Sequence, residues 1–306
     1  MTSTSKPIVV IGSINMDLVA RTPQIPLAGQ TLIGSGFSNT PGGKGANQAV
    51  AAARLGAPVH MVGMVGEDVF GQAMLDSLKE AGVATDAVAR VGGPSGIASI
   101  AVAANGENSI IVVPGANSHV TPAYLDRHEA LIASASMVLC QLELPLETVQ
   151  HALNLCARAD IPVVLDPAPA APLPDTVWSQ VRWFTPNETE AALYVDGNLS
   201  PEVAARQLLE RGMGGVVLKR GAKGSYVSLH GGTARWVPAF HVQTIDTVGA
   251  GDCFNGAFAV ALTEGQAPWV AARFASAAAA ISVTRTGAQA SMPTRIEVDQ
   301  FLARQD

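Results

Sequence analysis

Short runs of β-branched and apolar residues recur along the chain, separated by longer alanine-rich segments whose apolar residues repeat with a helical period. The strand-like runs include Ile8–Ile11, Val59–Val62, Met137–Leu139, Pro162–Leu165 and Gly215–Leu218. Helices are expected over Lys44–Leu55, Gly71–Glu80, Leu146–Arg158, Glu188–Leu193, Pro201–Arg211, Asp252–Glu264, Ala267–Val283 and Glu297–Arg304. Strands apolar on both sides must be covered on both faces, and parallel neighbours need long crossovers, so the alternation predicts βαβ units. The fold class expected is α/β: a doubly wound, mostly parallel central sheet of about eight or nine strands, flanked by helices. With 306 residues, 48% of them apolar and 14% charged, the chain has the material for such a core and is not a disordered or coiled-coil sequence.

Two segments interrupt the rhythm. Residues 16–41 hold proline and glycine turns with alternating side chains, and 96–113 alternates around Ala104-Asn105-Gly106-Glu107 in the manner of a hairpin. They are expected to form a small discontinuous β lid over a body made of residues 1–15, 42–95 and 114–306. Ordinary surface hairpins are the alternative.

Charge and cysteine usage narrow the function classes. The net charge of −6 gives no general attraction for nucleic acid or an anionic membrane, so neither is expected as a partner. Three cysteines, Cys140, Cys156 and Cys253, are an odd number outside any zinc spacing, which points to reduced thiols and a cytoplasmic location. The six histidines never pair at metal-ligand spacing, which argues against a zinc enzyme. The opening MTSTSKPIVVIGS lacks the features of a signal peptide, and no apolar stretch approaches the ~20 residues that cross a bilayer.

Chemistry concentrates in five places. Asp246-Thr247-Val248-Gly249-Ala250-Gly251-Asp252 runs into an apolar helix, so the amides of Gly249, Ala250 and Gly251 can converge as an anion hole at the positive end of that helix. Asp252, in its first turn, is expected to stay ionised there and to accept a proton; a plain N-cap is the alternative. Gly42-Gly43-Lys44-Gly45-Ala46-Asn47 opens a second helix, offering bare backbone and the donors Lys44 and Asn47 to a polyhydroxylated ligand. It is not a P-loop, which would need glycine where Ser38 stands and a hydroxyl residue where Gly45 stands, and no complete GxGxxG is present. Asn15 and Asp17, after the first strand, share one side if extended and suit vicinal hydroxyls, with an Asx turn as the alternative. Glu143 is a similar candidate at another strand end. Asn187 and Glu190 in TPNETE supply oxygen for Mg²⁺ or else form a capping box. Lys219, Gly221 and Gly224 end a strand in a basic turn suited to polyphosphate, or simply to solvent.

Taken in order, GSINMD, GGKGANQAVAAARLG, QLELP, DPAP, TPNETE, LKRGAKG and DTVGAGDCFNGA resemble the ribokinase-like (PfkB-type) carbohydrate kinases from about Ile8 to Leu302. The resemblance implies ATP-dependent phosphorylation of D-ribose at its 5-hydroxyl, and a β lid that also clasps a homodimer. It implies ribose contacts from Asn15, Asp17, Gly43, Lys44, Asn47 and Glu143, with Asp252 as base. ATP would lie along Asn187, Glu190, Lys219, Gly221, Gly224, Gly251 and Ser276, with the Phe274–Ser276 region near adenine. Asn187 and Glu190 would organise Mg²⁺ indirectly, and K⁺ would take ligands from Asp246, Val248, Ser282, Arg285, Gly287 and Ser291. Kinases of the same fold acting on deoxyribose, fructose, a nucleoside or pseudouridine, and a non-catalytic sugar sensor, are the other readings. Three departures from the family pattern are Cys253 in place of threonine, Met16 at a variable place beside the sugar motif, and Lys219-Arg220 in place of a hydroxyl-bearing strand end.

Overall fold

A computed structural model describes residues 6–197 and 199–305. Positions 1–5, 198 and 306, which include the start of the expected body segment and the first five residues of the run read against a signal peptide, lie outside the described residues. Among the described residues the strands are β1 (Ile8–Ile11), β2 (Asn15–Thr22), β3 (Gly36–Gly42), β4 (Val59–Gly66), β5 (Val83–Val91), β6 (Gly96–Ala103), β7 (Asn108–Val113), β8 (Met137–Cys140), β9 (Val163–Leu165), β10 (Trp183–Phe184), β11 (Gly215–Lys219), β12 (Ser225–Leu229) and β13 (Ala234–Val237).

Nine of them form one sheet in the order β13-β12-β11-β10-β9-β8-β1-β4-β5. All pairings from β11 to β5 are parallel, and β12 and β13 add an antiparallel edge. The α/β class read from the sequence is thus the observed one. Successive side chains point to opposite faces, so Ile8 and Val10 enter one core cluster while Val9 and Ile11 enter the other. Helices Lys44–Arg54, Ala250–Thr263 and Pro268–Ser282 cover the first face, and Leu146–Arg158 and Pro201–Glu210 the second. Cys140 and Cys156 pack in the second cluster and Cys253 in the first, all as free thiols.

The four remaining strands make a second sheet, β3-β2-β6-β7, in which β2 pairs parallel to β6 and antiparallel to β3. The turn at Gly106, with φ of 88°, joins β6 to β7, and Asn105 Oδ1 accepts from Glu107 N at 3.1 Å. Three residues separate β1 from β2, which in effect continues it, so the second sheet grows from the carboxyl edge of the first.

Helix Lys44–Arg54 reaches that edge because its first turn meets bare backbone. A Cβ on Gly45 would stand 2.6 Å from Gly12 C and 2.7 Å from Ser13 N. Gly45→Ala is therefore expected to overpack this crossing, costing about 2 kcal/mol and lowering Tm by ~3 °C in thermal denaturation. An unchanged Tm would contradict the close approach.

Candidate active site

The carboxyl ends of β1, β8, β9 and β11 converge with the starts of helices Lys44–Arg54 and Ala250–Thr263, the place where open α/β sheets bind ligands. Asn15 and Asp17 lie in β2 rather than in an Asx turn, and both are buried. Glu143 Oε2 gathers the first polar group: it accepts from the Ser13 hydroxyl, from Asn15 Nδ2 at 3.3 Å and from Lys44 N at 3.2 Å. Asn117 fixes the orientation of Asn15. Its Nδ2 donates to Asn15 Oδ1 at 2.7 Å and its Oδ1 accepts from Ile14 N at 2.9 Å, which leaves the Asn15 amide nitrogen facing Glu143.

Asp252 is 6% exposed, and its carboxylate does not cap its own helix. Asn47 Nδ2 donates to its Oδ2 at 2.9 Å and Gln48 Nε2 to its Oδ1 at 3.2 Å. The N-cap is Gly249, whose left-handed φ of 74° would strain any other residue, and a Cβ there would also stand 3.1 Å from Ala288. The amides that follow open onto a cleft of about 570 Å³. Its walls bring together Lys44, Asn187, Glu190, Lys219, Gly221, Gly224, Gly249, Ala250, Gly251, Asp252 and Ser276 with the apolar Ala239, Phe240, Val242, Ala279 and Ala280. Asn15, Asp17, Gly43, Asn47 and Glu143 stand behind Lys44 and Asp252, outside the cleft wall.

The electrostatics are those of crowded carboxylates around one ammonium. Burial pushes Asp252 up to about 6, against the lowering effects of Lys44, Asn47 and Gln48, while Asp166 adds to the rise. The helix terminus was expected to keep this acid ionised; burial moves it the other way. Asp17 is pushed up to about 7 by burial, then by Glu143 and Asp252, so near neutrality it can both donate and accept. Burial works against the charge of Lys44, but Asp252, Asp166, Glu143 and Glu190 outweigh it and hold the ammonium above its usual range. Burial also raises Glu190.

Asn187 and Glu190 form the full capping box: Glu190 N donates to Asn187 Oδ1 at 2.8 Å and Asn187 N to Glu190 Oε2 at 2.7 Å. Each still has oxygen valence facing the cleft, which suits Mg²⁺ held through water and phosphate; among the described residues no three acidic, histidine or cysteine side chains form a protein-only metal cage. The residues read as a K⁺ site lie on the loop before helix Ala250–Thr263 and on the segment from the end of helix Pro268–Ser282 to Ser291, joined by Asp246, whose oxygens accept from Val248 N at 3.0 Å and Gly287 N at 2.9 Å. Ser282 and Ser291 Oγ donate to Ala279 O and Ala288 O, each at 2.8 Å, and Arg285 N donates to Ser282 O at 3.1 Å. The donors offered are carboxylate, hydroxyl and carbonyl oxygens, a hard set that fits an alkali cation.

Of Phe274–Ser276, Ser276 reaches the cleft, while Phe274 is buried in the core with the Arg295 guanidinium 5.1 Å from its ring centre. Sequence reasoning passed over Ser13, Gln48, Asn117, Gln141 and Asp166. Of these, Asp166 in DPAP and Gln141 in QLELP stood inside quoted motifs at strand ends, which was signal enough to find them.

The description of the pfkB family carbohydrate kinases matches residues 5–295. The ribokinase of Bacillus subtilis is 47% identical over 297 residues, covering 97% of this chain and 99% of its own length. The deoxyribokinase of Salmonella typhi is 38% identical over 302 residues, covering 97% and 98%. Among solved structures, Arabidopsis thaliana ribokinase complexed with ribose and ATP is similar with a TM-score of 0.91 at 34% identity, covering 97% of this chain and 99% of its own. The cleft that ends on a buried acid and a glycine-capped helix is accordingly that of a sugar kinase: the chain belongs to the pfkB family of carbohydrate kinases.

Proposed function

We propose that this carbohydrate kinase transfers the terminal phosphoryl group of ATP to the 5-hydroxyl of D-ribose, giving ribose 5-phosphate and ADP. One observation carries the reading: Asp252 lies at the junction of the long cleft and the polar cluster of Asn15, Asp17, Lys44 and Glu143, with the Gly249–Gly251 amides beside it. The cleft's apolar lining suits a base, and the glycine amides at the start of helix Ala250–Thr263 suit phosphates. The paired polar groups of Asn15 and Asp17 suit the vicinal hydroxyls of a small sugar. The ribokinase relatives support the same substrates.

The sugar's 5-oxygen attacks the γ-phosphorus while Asp252 takes its proton, and the bond to the β-phosphate oxygen breaks as ADP leaves. Charge on the equatorial oxygens meets the amides of Gly249, Ala250 and Gly251 and the ammonium of Lys44, all preorganised in a buried site. Gly43, Asn47 and Glu143 position the sugar; Lys219, Gly221, Gly224 and Ser276 position the nucleotide. Asn187 and Glu190 would hold Mg²⁺ through water, and the ion supplies charge neutralisation to the phosphates. Asp246, Val248, Ser282, Arg285, Gly287 and Ser291 would hold K⁺, whose charge would favour the oxygens of these two segments lying together next to Gly249. The second sheet, from 16–41 and 96–113, serves as a lid. Its exposed Phe37, Ile110, Ile111 and Val112 support pairing of two copies through it. Three free buried thiols support a reducing, cytoplasmic setting.

The deoxyribokinase relative favours deoxyribose as the second reading. A coupled ADP-release assay over ribose, deoxyribose, fructose, a nucleoside and pseudouridine, with K⁺ or tetramethylammonium, decides. The highest kcat/KM is expected with ribose and K⁺; a preference for another sugar, or turnover with none despite ribose binding, would contradict the substrate. Indifference to the cation would remove the K⁺ site. Asp252→Asn is expected to lower kcat by about 10³-fold while ribose binding persists in calorimetry, and near-normal turnover would refute the base. Because Asp252 must be ionised and is raised to about 6, kcat should hold above that pH and fall below it. A flat profile through that range would contradict the assignment.

A further inference from the structure

Asp166 has no part in the steps above, yet it stands between the two halves of the reaction centre. It follows β9 directly, is 2% exposed, and has both oxygens engaged. Oδ1 accepts from Lys219 Nζ at 3.0 Å and Oδ2 from Gln48 Nε2 at 3.0 Å. The Gln48 amide nitrogen also donates to Asp252 Oδ1 at 3.2 Å, and Gln48 Oε1 accepts from Gln141 Nε2 at 2.7 Å. That amide therefore cannot turn over without losing three bonds. On the other side, Lys219 Nζ lies 3.6 Å from the place a Cβ on Gly251 would take, so the ammonium borders the anion hole. Lys219 N donates to Pro186 O at 2.9 Å, which ties the same strand end to the loop bearing Asn187 and Glu190. A buried ion pair adds little stability over an apolar pair of equal volume. Its place, between a base and an anion hole, is what the pair contributes.

We propose that Asp166 is a positioning residue for phosphoryl transfer: it holds the Lys219 ammonium against the Gly251 end of the anion hole and, through Gln48, sets the direction of the Asp252 carboxylate. The proposal rests on the kinase reading above. A lysine without this anchor has four rotatable bonds and a cleft full of solvent to occupy; anchored, it is a fixed charge where the transferring group passes. The groups facing Asp252 are Lys44, Asn47 and Gln48 from helix Lys44–Arg54, Asp166 beyond β9, Asp17 on β2 and the neighbouring Cys253. Glu190 and Lys219 face each other across the cleft wall.

The test compares wild type, Asp166→Asn, Lys219→Met and the double variant in steady-state kinetics with ribose and ATP from acid to neutral pH. Asp166→Asn is expected to lower kcat by about 10²-fold, the scale of a misplaced catalytic group, with KM for ribose unchanged. The acid limb of kcat should move to lower pH in Asp166→Asn, which removes an anion beside Asp252, and to higher pH in Lys219→Met, which unmasks that anion. The double variant should be no worse than the poorer single, because both act through one linkage. A residue that only supports the fold would lower Tm and leave these limbs in place. Wild-type kcat in Asp166→Asn with an unmoved limb, or single losses that multiply in the double variant, would overturn the proposal. Should Asp166→Asn not fold, Lys219→Met, altered at the cleft wall, decides alone: a reduced kcat with a raised limb supports the proposal and an unmoved limb overturns it. A wild type that phosphorylates no sugar overturns the kinase reading and the proposal together; a working wild type beside unaffected variants overturns the proposal alone.

Discussion

A carboxylate taken out of water costs several kcal/mol unless donors meet it, and the site is arranged around meeting that requirement at Asp252. Asn47 and Gln48 supply the two bonds. They can do so because helices Lys44–Arg54 and Ala250–Thr263 cross at contact distance, where a Cβ on Gly256 would stand 2.7 Å from Ala51 Cβ and Gln48 O. The partial compensation leaves the acid raised but still able to ionise near neutrality, the range a proton acceptor needs.

The same crossing sets the rest of the centre. Gly12 and Gly45 let the first helix sit down on the end of β1, which carries Lys44 into the middle of the carboxylates of Asp17, Glu143, Asp166, Glu190 and Asp252. One ammonium among several acids is balanced only in part, and a phosphate entering this region meets Lys44, Lys219 and the amides of Gly249–Gly251 rather than the acids alone. The sheet contributes rigidity: alternate side chains of β1 lock into two separate cores, so the strand ends that bear site residues are anchored from both faces.

Legibility in the sequence followed the range of the interactions. Apolar periodicity reported the helices closely, Leu146–Arg158 without error, because helical burial is repeated every turn. Helix Ala250–Thr263 starts two residues before its expected beginning, since a glycine N-cap leaves no side-chain signal. The glycine signatures were legible because close backbone approach excludes other residues. What stayed hidden was polar and long-range: Asn117 acts on Asn15 across 102 residues and Asp166 on Lys219 across 53, and nothing local marks a buried amide or acid as paired. Within Phe274–Ser276 the apolar period could not say which residue faces the cleft: Ser276 does, and the Phe274 ring packs in the core.

A crystal structure of the ternary complex with ribose and a non-hydrolysable ATP analogue measures the central geometry directly. The expected result is a terminal phosphate against the amides of Gly249–Gly251 and a sugar hydroxyl within about 2.6–3.2 Å of Asp252 on the side facing it. A terminal phosphate bound elsewhere along the cleft, with Asp252 still paired only to Asn47 and Gln48, would contradict it.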